Sequence, residues 1–232
     1  MASWRGLVLR GQLLYRVLVR PGQLIEFPAA RTDVFDFLRP IVPGLPDVPA
    51  DLRAVPQPDA PGAAVVESSE PEVARTLYGV AAAQQAQRVV EVGVFRGYTS
   101  RFLAAAVAPR QGDLHLVDLS PAALDAGRSA AAAFPGARVT THQGLSTDPA
   151  VLAAVPDGCD LIYLDADHSE AGVEAELTAW LPKLRPGGVV GVHDTVHFGG
   201  VCRAANRFAA RLPAVTLATG RGCGLTLIRR DG

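Results

Sequence analysis

Four acidic residues stand at or near the ends of apolar runs in this chain. Glu91 lies within Val89–Val92, Asp118 follows Leu114–Val117, Asp165 follows Leu161–Leu164, and Asp194 follows the run Val189–Val192 and His193. If those runs are buried parallel strands, the four carboxylates share one rim of a sheet, where ligands bind. Buried carboxylates are costly unless they are paired or hold cations. Their gathering therefore asks for positive guests, and two kinds fit: an organic cation, and a hard divalent metal that takes oxygen ligands. His168, three residues after Asp165, adds a group that titrates near neutral pH and can accept a hydroxyl proton.

The glycines sharpen the choice. Arg88–Val92 has the length and β-branched content of a buried strand, Gly93 ends it, and Gly97 follows before an apolar helix beginning at Tyr98. Such a turn lets a backbone approach a ligand closely. The pattern is Glu-x-Gly-x-x-x-Gly, and it lacks the tighter glycine spacing that a dinucleotide pyrophosphate wants. A carboxylate two residues before the first glycine repels phosphate and suits a cation. An ordinary strand–turn–helix corner is the plainer alternative for this stretch taken alone.

These residues need elements to position them. From Ser69 onward the pattern is regular: a helix over 70–86 with Ser69 as N-cap, a strand over 88–93, and a helix to 108. Strands at 114–117, 138–141, 160–164 and 189–192 alternate with helices over 121–134, 148–155 and 170–184 and one carrying Val201, Ala205, Phe208 and Leu212. Runs at 215–218 and 225–228 flank Gly220-Arg221-Gly222 as a closing hairpin. Alternating strands and helices predict an α/β fold with a doubly wound, Rossmann-like sheet of seven strands, mostly parallel, with an antiparallel strand from the C-terminal hairpin. Ahead of it, residues 4–20 read as a helix rich in leucine and arginine, and residues 39–62 are dense in proline. We place the boundary near 64: an N-terminal helical and Pro-rich extension over 1–64, serving as lid or oligomer contact, and a binding domain over 65–232.

Composition removes several function classes. At 232 residues, 49% apolar and with a formal net charge of -1, the chain can build one large core and has no field to attract nucleic acid or an anionic membrane. Three scattered cysteines, Cys159, Cys202 and Cys223, read as buried thiols in a reducing compartment. No run is long enough to cross a bilayer, so the expectation is a cytoplasmic protein that self-associates.

At this point the residues resemble the class I S-adenosylmethionine-dependent methyltransferases over about 65–230. The stretch Glu91 to Thr99 is similar to the cofactor motif of catechol and caffeoyl-CoA O-methyltransferases. Asp165-Ala166-Asp167-His168-Ser169, with Leu184 to Thr195, is similar to the cephalosporin hydroxylase/macrocin O-methyltransferase group. The resemblance implies S-adenosylmethionine and magnesium as cofactors and a hydroxyl of a small molecule, a natural-product sugar or a phenol, as methyl acceptor. It implies that Glu91, Gly93, Phe95, Gly97, Tyr98 and Thr99 hold the methionine end. It makes Asp118 the acceptor for the ribose hydroxyls, and has Gly144, Leu145 and Ser146 flank adenine, although Gly-Leu-Ser is also plain loop chemistry. Asp165 and Asp194 would bind the cation, with Thr195 where the catechol enzymes carry a third ligand. Asp165 would also touch the cofactor, and His168 would be the base, with His193 and His197 as substitutes.

Other functions compatible with the same rim are an aminopropyltransferase, which Asp167 would serve, and a non-catalytic S-adenosylmethionine-binding module. A nicotinamide dehydrogenase lacks its glycine pattern here.

Overall fold

Strand faces in this protein alternate with period two, and each face has its own core. Val89, Leu114, Leu116, Leu161 and Tyr163 point to one side; Val90, Val92, Val117, Ile162 and Leu164 point to the other. The computed structural model describes residues 24–26, 48–55, 68–219 and 222–231. The helix expected over 4–20, much of the proline-dense stretch and the Gly220-Arg221 tip lie outside them.

In chain order the strands are β1 (Leu24–Glu26), β2 (Arg88–Val92), β3 (Asp113–Asp118), β4 (Arg138–Gln143), β5 (Cys159–Leu164), β6 (Leu184–His193), β7 (Ala214–Ala218) and β8 (Leu225–Arg229). The helices are α1 (Ala50–Arg53), α2 (Pro71–Ala83), α3 (Tyr98–Val107), α4 (Pro121–Ala131), α5 (Pro149–Ala154), α6 (Glu170–Trp180) and α7 (Gly199–Ala209). The sheet order is β1-β7-β8-β6-β5-β2-β3-β4. Strand β8 runs antiparallel to β6 and β7, and all other pairings are parallel. The seven strands expected for the doubly wound domain are all present. Leu24–Glu26 adds an eighth at the edge, parallel to β7. Three residues are too few to show a strand period in the sequence.

Helices α2, α3 and α4 cover one face through Leu77, Phe102, Leu103 and Leu124. Helices α5, α6 and α7 cover the other through Val151, Leu177, Trp180 and Val201. With apolar residues on both strand faces, the central strands are continuous hydrophobic runs. Among the described residues no helix is long and apolar enough to cross a membrane. Cys159 and Cys202 are buried free thiols, and Cys223 is half-buried.

Among the boundaries that differ from expectation, two have a physical reason at the site. Helix α2 begins at Pro71, with Glu70 in the cap position and no side-chain cap. Ser69 cannot cap it because its hydroxyl is engaged by Tyr163 and Asp165. Strand β6 begins at Leu184, five residues early, because an irregularity in the β5 pairing between Cys159 and Leu161 and a left-handed Gly187 (φ +76°) absorb the Pro-Gly-Gly segment.

Candidate active site

The turn after β2 is shaped by three left-handed residues: Gly93 (φ +87°), Phe95 (φ +50°) and Gly97 (φ +72°). A Cβ on Gly93 would stand 2.3 Å from the backbone oxygen of Asp165, and one on Gly97 would stand 2.8 Å from that of Ala126. Both glycines are therefore required by close backbone approach as well as by φ. Phe95 has no such excuse; its strain is held by the turn around it. The Gly93 N–H donates to Val117 O at 2.9 Å. Asp118 then fixes the loop, accepting from Val94 N at 2.8 Å and from Ser120 N at 2.8 Å. A carboxylate has about four lone-pair directions, so Asp118 keeps acceptor capacity toward the cleft it lines.

A cavity of about 710 Å³ opens along the carboxyl ends of β2 to β6. It is lined by Glu91, Gly93, Phe95, Tyr98, Thr99, Asp118, Gly144, Leu145, Ser146, Asp165, His168 and Asp194. These are the sequence-derived site residues except two. Gly97 supports the turn from behind, against α4. Thr195 needs correction: it is fully buried, does not line the cavity, and accepts a hydrogen bond from Thr226 at 2.9 Å. It lies just beyond β6, and its hydroxyl is engaged by Thr226 of β8.

Glu91 is 1% exposed and accepts a hydrogen bond from Ser100. Burial pushes its carboxyl up to about 8 despite that bond, and the charges of Asp165 and Asp118 push the same way. At that value the carboxyl keeps its proton at neutral pH.

The rim beyond Gly93 holds the densest chemistry. Asp165 Oδ2 accepts from Ser69 and from Tyr163, each at 3.0 Å, and Oδ1 lies 2.8 Å from His193 Nδ1. The other ring nitrogen of His193 lies 2.9 Å from Glu70, which is wholly buried and also accepts from Thr219 and from Cys223 N. Against the cost of burial, this chain of charges holds Asp165 and Glu70 below the ordinary carboxylate range and His193 well above the ordinary imidazole range. Both nitrogens of His193 are thus occupied by carboxylates, which removes it as a free base. His197 does not line the cavity.

His168 is more open. Its Nε2 lies 3.6 Å from Asp165 and 3.1 Å from Asp194, and its ring stacks on Phe198 with centroids 4.9 Å apart. The two carboxylates raise its pKa. Asp194 occupies the left-handed region (φ +57°), a conformation aspartate tolerates, and its carbonyl accepts from the N–H groups of His197 and Phe198. Burial, then Asp165, raises the Asp194 pKa. Ligand atoms of Asp165, His168 and Asp194 all lie within 4.8 Å of one another. Oxygens crowded by like charge, with an imidazole beside them, are a donor set that fits one divalent cation.

Sequence reasoning missed Glu70, Tyr163 and Glu176 at this site. Tyr163 is hidden inside an apolar run, Glu176 stands among the other polar residues of α6, and Glu70 arrives from a helix start far from any glycine motif. No local pattern marks them.

Comparisons with known proteins agree with this geometry. Residues 90–195 match a family model described as a methyltransferase domain. No curated protein matches the chain. Among solved structures, the chain is similar to the O-methyltransferase TomG from Streptomyces achromogenes, involved in tomaymycin synthesis and solved with S-adenosylmethionine. Identity is 24%, with 71% of this chain and 82% of that one covered and a TM-score of 0.60. It is also similar to the Bacillus cereus O-methyltransferase in complex with S-adenosylhomocysteine, at 20% identity, 72% and 84% coverage and a TM-score of 0.59. A third likeness is the S-adenosylhomocysteine-bound methyltransferase PaMTH1 from Podospora anserina, at 19% identity, 71% and 80% coverage and a TM-score of 0.57. Residues 90–195 thus match the model of a methyltransferase domain, and the chain around them shares the Rossmann-like fold of these methyltransferase structures.

Proposed function

We propose that this protein is an O-methyltransferase that moves the sulfonium methyl of S-adenosylmethionine to a hydroxyl of a small molecule, a natural-product sugar or a phenol. The observation that carries this reading is the meeting of a Gly93 turn, a ribose-type acceptor at Asp118, and the Asp165–His168–Asp194 cluster in one cavity.

In this reading Glu91 and the turn through Thr99 bind the methionine end, and Asp118 accepts from the ribose hydroxyls. Asp165 and Asp194 hold a divalent cation, magnesium by the hardness of their oxygens, and that ion when bound supplies Lewis acidity that lowers the pKa of the acceptor hydroxyl. Nε2 of His168 takes the hydroxyl proton. The acceptor oxygen forms a bond to the methyl carbon while the carbon–sulfur bond breaks, and sulfur keeps the electron pair. The products are the methyl ether and S-adenosylhomocysteine. Glu70 and His193 do not touch the reacting atoms; they hold the Asp165 carboxylate in place. The fold contributes chiefly orientation.

The test is His168→Ala. A general base contributes roughly 10²–10⁴-fold, so turnover should fall by that order while S-adenosylhomocysteine affinity stays near wild type. Full turnover in the variant would place the base elsewhere. A chelator should depress activity and magnesium restore it; an enzyme indifferent to both has no cation in its chemistry.

A further inference from the structure

His168 takes the proton in that mechanism, yet its own backbone gives its ring little guidance. It stands in the loop between β5 and α6, and 41% of its side chain is exposed. A half-exposed side chain on a loop keeps several rotamers unless a neighbour selects one. The charges of Asp165 and Asp194 draw the ring inward, but Coulomb attraction fixes no ring plane.

Phe198 fixes one. Its ring lies nearly parallel to the imidazole, with 9° between the planes and 4.9 Å between the centroids, within the range of stacked aromatic pairs. Phe198 is itself held. It is the N-cap residue of α7, its N–H donates to Asp194 O at 3.0 Å, and the His197 ring meets it edge-on at 4.6 Å. The helices behind the two rings are also tied. Glu170, the first residue of α6, pairs with Arg203 at 2.6 Å and with Arg207 at 2.7 Å on α7. A Cβ on Gly200 would stand 2.9 Å from Glu170 N, so the two helix starts are in direct contact. We infer that Phe198 is a positioning residue: its ring sets the plane of the His168 imidazole and so keeps Nε2 at Asp165 and Asp194. Phe198 does not line the cavity, so it acts through His168 and not on the methyl acceptor. This role rests on the proposed function above, in which His168 is the base.

The experiment compares wild type with Phe198→Leu, which keeps apolar cover without a flat face, and with Phe198→Tyr, which keeps the face. Three quantities are read: kcat and KM on catechol as a probe phenol, calorimetric affinity for S-adenosylhomocysteine, and the rate at which diethylpyrocarbonate modifies His168, followed by mass spectrometry. The Leu variant should lose about two- to tenfold in kcat, the worth of an aromatic pair. Its His168 should be modified faster by a similar factor, and its affinity for S-adenosylhomocysteine should not move. The Tyr variant should match wild type throughout. A Leu variant with wild-type kcat and modification rate overturns the inference. So does a Tyr variant as impaired as Leu, and so does a Leu variant changed only in KM, since Phe198 would then touch the acceptor. If wild type binds S-adenosylhomocysteine but leaves catechol unmethylated, the modification rates decide by themselves. If wild type binds no S-adenosylhomocysteine, or His168→Ala keeps full turnover, it is the proposed function that fails.

Discussion

The backbone oxygen of Asp165 stands 2.3 Å from where a side chain on Gly93 would begin. The turn after β2 and the acidic end of β5 are therefore packed backbone to backbone, with no layer between them. That contact makes a glycine at 93 a structural requirement of the site.

Gly93→Ala should accordingly cost about 1–3 kcal/mol from the left-handed backbone alone, with the clash on Asp165 adding to it. Denaturant unfolding should show the loss of stability. Calorimetry on the folded fraction should show cofactor binding weakened as well, because the turn must shift away from β5.

Glu70 is buried at 0% exposure against His193. Removing one partner of a buried ion pair costs about 3–5 kcal/mol, since the other charge is left behind. Glu70→Ala should lower the midpoint of unfolding accordingly, while Glu70→Gln, which keeps a hydrogen-bond acceptor for the ring, should lose less. Equal stability in all three forms would mean that the ion pair contributes nothing to the stability of the fold.

Cofactor affinity should rise with pH below about 8. Glu91 holds its proton up to that value in the free protein, and a cationic ligand binds the ionised form better. Binding thus expels a proton at neutral pH, and affinity should climb by at most about tenfold per unit between pH 6 and 8. Calorimetry in buffers of different ionisation enthalpy would reveal the released proton. Glu91→Gln should flatten the profile.

The protein should lose stability on mild acidification through a pair far from the chemistry. His115 Nδ1 lies 3.0 Å from His142 Nε2, and burial, then the charge of His142, pushes His115 down to about 4. Between about 6.5 and 4 the unfolded chain binds a proton that the folded one refuses. Stability is therefore full above 6.5 and falls by at most about 1.4 kcal/mol per unit as pH drops through that window. His115→Leu, which also removes an unpartnered ring nitrogen, should make thermal unfolding less sensitive to pH there.

Local sequence carried much of this. The alternation of apolar runs with helical spacing fixes the strand–helix order from Pro71 to the hairpin, because period and burial are written residue by residue. The acidic strand ends and the Glu91–Gly97 spacing mark the cleft, since parallel strands put their ends on one rim. Tertiary structure decided the rest. Only the fold sets Thr195 against Thr226 of β8, and only the approach of α2 and α6 to that rim brings Glu70 and Glu176 to it. Those residues lie 95 positions before Asp165 and 11 after it, and each occupies a helix position that reads as ordinary surface. Which charge meets which across such gaps depends on packing between elements, a quantity that no window of neighbouring residues contains.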